Sequence, residues 1–153
     1  MAIRRILVPI DFSSGSLRAL EYARELARGL GAELLLLYVF EPMDFSGYSE
    51  NFLPPPQLTQ VLGEHHAKAR ERLARLAEET AASGPRARSM LVDGSPAQRI
   101  VETARAEGID LVVMGTLGRT GVPHLLLGSV AEKVVRLAPC PVLTVRSEAA
   151  PGR

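Results

Sequence analysis

The sequence is poor in several features that mark whole classes of protein. Its 153 residues include a single cysteine, Cys140, so an internal disulfide is excluded. Lysine and arginine number 18 against 17 aspartate and glutamate residues, which leaves a formal net charge of +1. That balance gives no long-range attraction to nucleic acid or to an anionic membrane surface. No apolar run approaches the length needed to cross a bilayer. We therefore expect neither nucleic acid nor a membrane as a partner.

The first eleven residues do not have the pattern of a secretory signal, because they lack a long apolar region followed by small residues at a cleavage site. Together with the single cysteine, this composition predicts a cytoplasmic protein. Apolar residues make up 46% of the chain and charged residues 23%, which is typical of a soluble globular protein. The length predicts one domain over residues 1–146, followed by a frayed tail over residues 147–153.

Apolar runs of strand length alternate with helical patterns along the chain. The runs predict five strands, at residues 6–10, 34–40, 89–92, 111–114 and 141–145. Between them, apolar residues recur at helical spacing. This alternation predicts a single-domain α/β fold, an open doubly wound parallel sheet of five strands with helices on both faces.

The predicted helices have recognisable ends. Ser13 is a plausible N-cap for the first helix, which Gly31 ends. Ser95 caps the third helix. Pro96 takes that helix's first position. The last helix begins near Ser129, where Glu132 three residues later would complete a capping box.

The second helix is predicted from a long apolar face formed by Leu62, His65, Ala69, Leu73, Leu76 and Thr80. On its solvent side, Glu64 is spaced to pair with Lys68, and Glu71 with Arg75. The stretch before it, residues 41–57, contains three consecutive prolines and is predicted to be irregular. Its aromatic residues form either a variable surface loop, which we favour, or a lid or partner surface; they are Phe45, Tyr48 and Phe52.

A glycine-rich segment follows the fourth predicted strand. Gly115 and Gly118 are followed, after nine residues, by Gly128 and Ser129. Glycine lets backbone N–H groups approach a phosphate closely, and a helix N-terminus adds free N–H groups and a positive dipole end. Two glycines alone would also fit an ordinary turn. The spacing matches neither the Walker A loop nor the dinucleotide fingerprint, so the segment predicts a phosphate site of another kind. His124, within it, is interpreted as a surface residue.

This combined pattern resembles the universal stress protein family, in its ATP-binding branch. That branch carries G-x-x-G, nine residues, then G-[ST]. Two further segments agree with the family: Ile6-Leu7-Val8-Pro9-Ile10-Asp11-Phe12-Ser13 at the start, and Cys140-Pro141-Val142-Leu143-Thr144-Val145 at the end. The resemblance covers nearly the whole chain. It implies the strand order 3-2-1-4-5 and a homodimer formed through the apolar fifth strand at the sheet edge. Cys140 would then be a buried small hydrophobic residue near that interface.

The resemblance also implies an ATP site at the switch point between strands one and four, beyond the carboxyl ends of the strands. The adenosine end would contact Pro9, Ile10, Asp11 and Val39. The remaining implied contacts with base, ribose and phosphates are Met114, Gly115, Thr116, Gly118, Arg119, Gly128, Ser129 and Val130. Mg²⁺ or Mn²⁺ would sit on the phosphates, without protein ligands. Two of these residues have simpler interpretations as well: Asp11 as a partner of the first helix dipole, and Val39 as core.

The function predicted in this way is an ATP-binding stress-response or regulatory protein. The alternative is a slow ATP hydrolase or an adenylate-transferring enzyme of related fold. Rapid catalysis needs a base or cationic groups placed at the reacting phosphate. Near the segment the sequence offers only Arg119 and His124, so we assign no catalytic residue.

Overall fold

The computed structural model describes residues 1–117 and 127–147. Within them lie five strands: β1 (Arg5–Pro9), β2 (Glu33–Phe40), β3 (Ala87–Asp93), β4 (Leu111–Gly115) and β5 (Val142–Val145). All pair in parallel, in the order β3-β2-β1-β4-β5. The predicted fold class and strand order are confirmed.

The helices of the described residues are α1 (Ser14–Leu30), α2 (Pro56–Ala82), α3 (Pro96–Ala106) and α4 (Ser129–Leu137). Helices α1 and α2 pack on one face of the sheet, and α3 and α4 pack on the other. The sheet therefore separates two apolar clusters. Strand β1 serves both: Ile6 and Val8 point into the first cluster and Leu7 into the second, and all three are fully buried.

The largest difference from the predicted strands is at β3, which begins at Ala87 rather than Ser89. The pairing with β2 continues to this point, where Ala87 lies opposite Leu34. The added residues include the exposed Arg88, so hydrophobicity could not reveal them. Backbone pairing, which ignores side-chain polarity, sets the start of the strand.

Helix ends agree in part with the sequence prediction. Ser13 caps α1 by accepting a hydrogen bond from the backbone N–H of Ser16, and Gly31 ends it with φ of 67°. Pro96 takes the first position of α3, although the Ser95 side chain makes no capping hydrogen bond.

The predicted capping box at the last helix is wrong. Gly128 is the N-cap of α4 and Ser129 is its first residue, so the hydroxyl of Ser129 is one position too late to cap. Gly128 itself has no side chain with which to cap the helix. The box failed because glycine tolerates the extended cap conformation as readily as serine does.

Cys140 is half-buried against the second apolar cluster, just before β5. Burial raises the pKa of its thiol, which keeps the sulfur protonated and apolar in character. In the part of the chain that the structure describes, no helix combines the length and apolar character needed to cross a membrane.

Candidate functional site

A cavity of about 860 Å³ opens at the carboxyl ends of the strands. There β1 and β4 are neighbours, with Ile6 opposite Leu111. The segment after β1 leads to α1 on one face, whereas the segment after β4 leads towards α4 on the other. The cavity therefore lies at the switch point of the sheet, where open parallel sheets bind their ligands.

Every predicted binding residue that the structure describes lines this cavity. They are Pro9, Ile10, Asp11, Val39, Met114, Gly115, Thr116, Gly128, Ser129 and Val130. The other two predicted binding residues, Gly118 and Arg119, lie outside the described residues, as does His124, which was interpreted as a surface residue. The fold thus brings together segments more than a hundred residues apart in sequence; their contacts with a ligand stay predictions.

Gly115 has a role that the sequence did not reveal. A Cβ at this position would lie 2.9 Å from the carbonyl carbon of Gly15 and 3.0 Å from its oxygen. A Cβ at Gly15 would in turn lie 3.0 Å from the carbonyl oxygen of Leu117. The first turn of α1 approaches β4 and the residues after it so closely that a Cβ at Gly115 would force a backbone shift, whereas one at Gly15 would require Leu117 to move by a few tenths of an ångström. Gly115 therefore fixes the floor of the cavity by backbone packing.

The start of α4 faces the cavity. The N–H of Gly128 donates to the carbonyl oxygen of Thr116 at 2.7 Å, which ties the cap to the end of β4. The next three residues, Ser129, Val130 and Ala131, occupy the first turn and line the cavity. First-turn N–H groups have no partner within their helix, and the N-cap residue Gly128 has no side chain to bond to them. Together with the helix dipole they form a site for an anion.

Asp11 serves the start of α1. Its Oδ1 accepts hydrogen bonds from the backbone N–H of Ser13, at 2.9 Å, and from the Ser13 hydroxyl. The N–H of Asp11 points towards the Ser16 hydroxyl, at 3.4 Å. The same side chain lines the cavity. A carboxylate has about four acceptor positions, so ordering α1 and accepting from a ligand are compatible.

Helix α2 contributes a cavity wall that sequence reasoning missed. Its lining residues are Leu62, His65, Lys68, Ala69 and Arg72. The sequence pattern predicts that Lys68 lies on the solvent side and pairs with Glu64. It is exposed, yet it lines the cavity, and among the described residues no carboxylate lies within 4.0 Å of its ammonium group. The spacing of His65, Lys68 and Arg72 puts all three on one helix face. This spacing could have indicated from the sequence that they share one surface.

The aromatic residues of the loop before α2 contact one another. The rings of Tyr48 and Phe52 stack at 4.3 Å between centroids, and Phe45 lies 5.5 Å from Phe52. None of the three lines the described part of the cavity, and Tyr48 is 59% exposed. This arrangement favours the interpretation as a surface loop over that of a lid.

The described residues contain no group of three or more His, Cys, Asp or Glu side chains able to hold a metal ion. The acidic side chains of the described cavity wall are Asp11 and Glu41 at the strand ends, and its basic side chains are His65, Lys68 and Arg72 on α2. The cavity is thus lined both by a helix start whose N-cap is a glycine and by a group of basic side chains on α2.

Comparison with known proteins adds to this geometry. A family model described as the universal stress protein family matches residues 2–146. Universal stress protein MJ0531 of Methanocaldococcus jannaschii is 37% identical over 147 residues, covering 94% of this chain and 82% of that protein. The solved structure of MJ0577, from the same organism, has a TM-score of 0.79 at 27% identity and covers 98% of this chain and 100% of its own. A universal stress protein solved in complex with cAMP has a TM-score of 0.71 at 26% identity, covering 97% and 100%.

Proposed function

Because this chain belongs to the universal stress protein family, we propose that it is an ATP-binding regulatory protein that holds the nucleotide at the switch point between β1 and β4. The observation that carries the proposal is the start of α4, where the N-cap is a glycine without a capping side chain and the first turn opens into a cavity of about 860 Å³. A cavity of this size falls within the usual range for small-molecule sites, about 300–1,000 Å³. The cAMP complex of a related protein supports an adenine nucleotide as the ligand.

The residues present fit such a ligand. The N–H groups of Ser129, Val130 and Ala131 would receive the phosphates, with Gly128 allowing close approach. The adenosine would lie between the apolar ends of β1, β2 and β4, against Pro9, Ile10, Val39 and Met114, and Asp11 would accept from its ribose or its base. A divalent cation on the phosphates, Mg²⁺ or Mn²⁺, would neutralise their charge.

The first test is direct. The chain has no tryptophan and only three tyrosines, so a bound adenine nucleotide would dominate the ultraviolet spectrum of the purified protein. ATP with Mg²⁺ at a hundredfold excess over its dissociation constant stabilises a protein by about 2.7 kcal/mol. For a domain of this size that corresponds to a rise in melting temperature of about 5–10 °C. A protein without adenine absorbance and without a shift at millimolar ATP would refute the proposal.

A pair of matched variants tests the position of the phosphates. Ser129→Asp places a carboxylate at the first residue of α4, where the helix dipole tolerates it but a phosphate is repelled. Ser14→Asp makes the same change at the first residue of α1, and Ser14 does not line the described cavity. We expect Ser129→Asp to weaken ATP binding by about tenfold or more. Equal effects of the two substitutions, measured by calorimetry, would contradict the assignment.

We expect this protein to bind ATP without hydrolysing it rapidly. Phosphate release from stoichiometric protein and ATP distinguishes the two. Enzymes usually turn over at about 1 per second or faster. A rate in that range would favour the hydrolase alternative, and we expect a far lower one.

We also propose a homodimer through β5. This strand lies at the sheet edge, pairs only with β4 in the described sheet, and exposes 38% of Leu143. Leu143→Lys should shift the molar mass measured by light scattering from dimer to monomer. Leu53→Lys, at a residue that is 85% exposed on the loop before α2, is the control and should stay dimeric. A monomeric wild-type protein at high micromolar concentration would refute this assembly.

A further inference from the structure

Three basic side chains on one face of α2 line the cavity: His65, Lys68 and Arg72, here called the basic wall. In the described part of the chain, no carboxylate lies within ion-pair distance of any of them. Exposed basic residues normally point to bulk solvent, where they need no partner. Here they converge on the same volume as the start of α4, and a concave site focuses their field on whatever occupies it.

The basic wall and the start of α4 belong to helices on opposite faces of the sheet. Helix α2 packs over β2 and β3, whereas α4 packs beside β5 on the other face of the sheet. The start of α4 is tied to Thr116, just after β4, and from β2 to β4 there are two strand spacings, which is roughly 10 Å. A single phosphate chain bound at α4 would leave the basic wall facing the ribose and base of the nucleotide.

The side chain of Arg72 is restrained by stacking on Phe12. Its guanidinium carbon lies 4.0 Å from the centre of the Phe12 ring. Phe12, the residue after Asp11, has φ of 62°, an uncommon conformation for a side chain of this size. Stacking on the ring restrains the guanidinium, so less side-chain entropy is lost when its planar fork binds an anion.

We propose that the basic wall is a second anion-binding subsite, and that the preferred ligand is an adenine nucleotide with anionic groups at both ends: 5′-phosphates at α4 and a further phosphate on the ribose. This inference rests on the proposed nucleotide site and names the class of nucleotide it takes. The carboxylates that face the same volume are Asp11, whose Oδ1 accepts from Ser13, and Glu41 at the end of β2. The positive charges of Lys68 and Arg72 in the basic wall offset the negative charges of these two carboxylates.

The test compares the dissociation constant of ADP with those of ADP carrying an additional 2′- or 3′-phosphate, by calorimetry. Charge-assisted hydrogen bonds to phosphate are the strong ones, so at least one bisphosphorylated isomer should bind wild-type protein about tenfold more tightly than ADP. In Lys68→Gln/Arg72→Gln this ratio should fall to about one. Arg75→Gln, an exposed change on the same helix away from the cavity, is the matched control and should keep the wild-type ratio.

Each result is decisive. If neither isomer binds wild-type protein more tightly than ADP, or if the double variant keeps the ratio, the basic wall is not an anion subsite. A ratio lost equally in Arg75→Gln would show a general charge effect and would also overturn the inference. If ADP itself does not bind, the proposed function fails as well, which distinguishes the two failures. All three substitutions are at exposed positions, and thermal unfolding checks that each variant folds.

Discussion

The close approach between α1 and β4 makes a sharp prediction about Gly115→Ala. The new methyl group would meet three backbone atoms of the first turn of α1: the carbonyl carbon and oxygen of Gly15 at 2.9 and 3.0 Å, and the nitrogen of Ser16 at 3.3 Å. Contacts below 3.0 Å are not tolerated by a Cβ. Backbone atoms cannot rotate away as a flexible side chain would, so the helix must move.

The magnitude follows from this contact. An extra methyl group that forces a backbone shift costs about 1–3 kcal/mol. For a domain of 153 residues, each kcal/mol lowers the melting temperature by about 2–4 °C. We therefore expect Gly115→Ala to melt roughly 2–12 °C below wild type. Because Gly115 also lines the cavity, ATP affinity should fall with it.

Thermal and urea unfolding measure the effect, and Gly63→Ala is its control. Gly63 lies exposed in α2, and a Cβ there would meet nothing within 4 Å. Alanine is more stable than glycine in a helix interior, so the free energy of unfolding of Gly63→Ala should be about 0.5–1 kcal/mol higher than that of wild type. Opposite signs for the two substitutions would support the packing argument. A Gly115→Ala protein as stable as wild type would refute it.

Two further predictions concern polar contacts. Ser13 caps α1, so Ser13→Ala should lose about 1 kcal/mol in urea unfolding; the exposed Ser14→Ala is the control, and an equal loss in both would argue against the cap. The N–H groups of Arg4 and Arg5 donate to Asp110 at 2.8 and 3.0 Å and hold the pKa of that carboxyl below its usual value. This stabilisation is fully present above the unfolded pKa of 3.8 and is lost as the pH falls through the lower folded pKa. Asp110→Asn should therefore be less stable than wild type at neutral pH, with a difference that narrows below pH 3.8; a difference independent of pH would contradict this assignment.

Local sequence patterns predict a large part of the fold. The all-apolar run at residues 6–10 predicts a strand buried on both faces, because only a central parallel strand needs apolar side chains on each side. Ser13 and Gly31 predicted the two ends of α1, since capping and a left-handed terminal residue depend on a few neighbouring groups. The capping box at Ser129 failed for the same local reason, because Gly128 could occupy the cap instead.

Local sequence patterns predict the candidate site only in part. The alternation of strands and helices and the glycine-rich segment before α4 can be recognised in the sequence, because both depend on neighbouring residues. The reason that Gly115 favours glycine appears only in the folded chain, because it is the close backbone of Gly15, a hundred residues earlier in the sequence. The tertiary structure also decides that Lys68 and Arg72 face the cavity. The sequence of a helix does not indicate which part of the protein its exposed basic residues face. For Lys68 and Arg72, this is set by how α2 packs over the sheet.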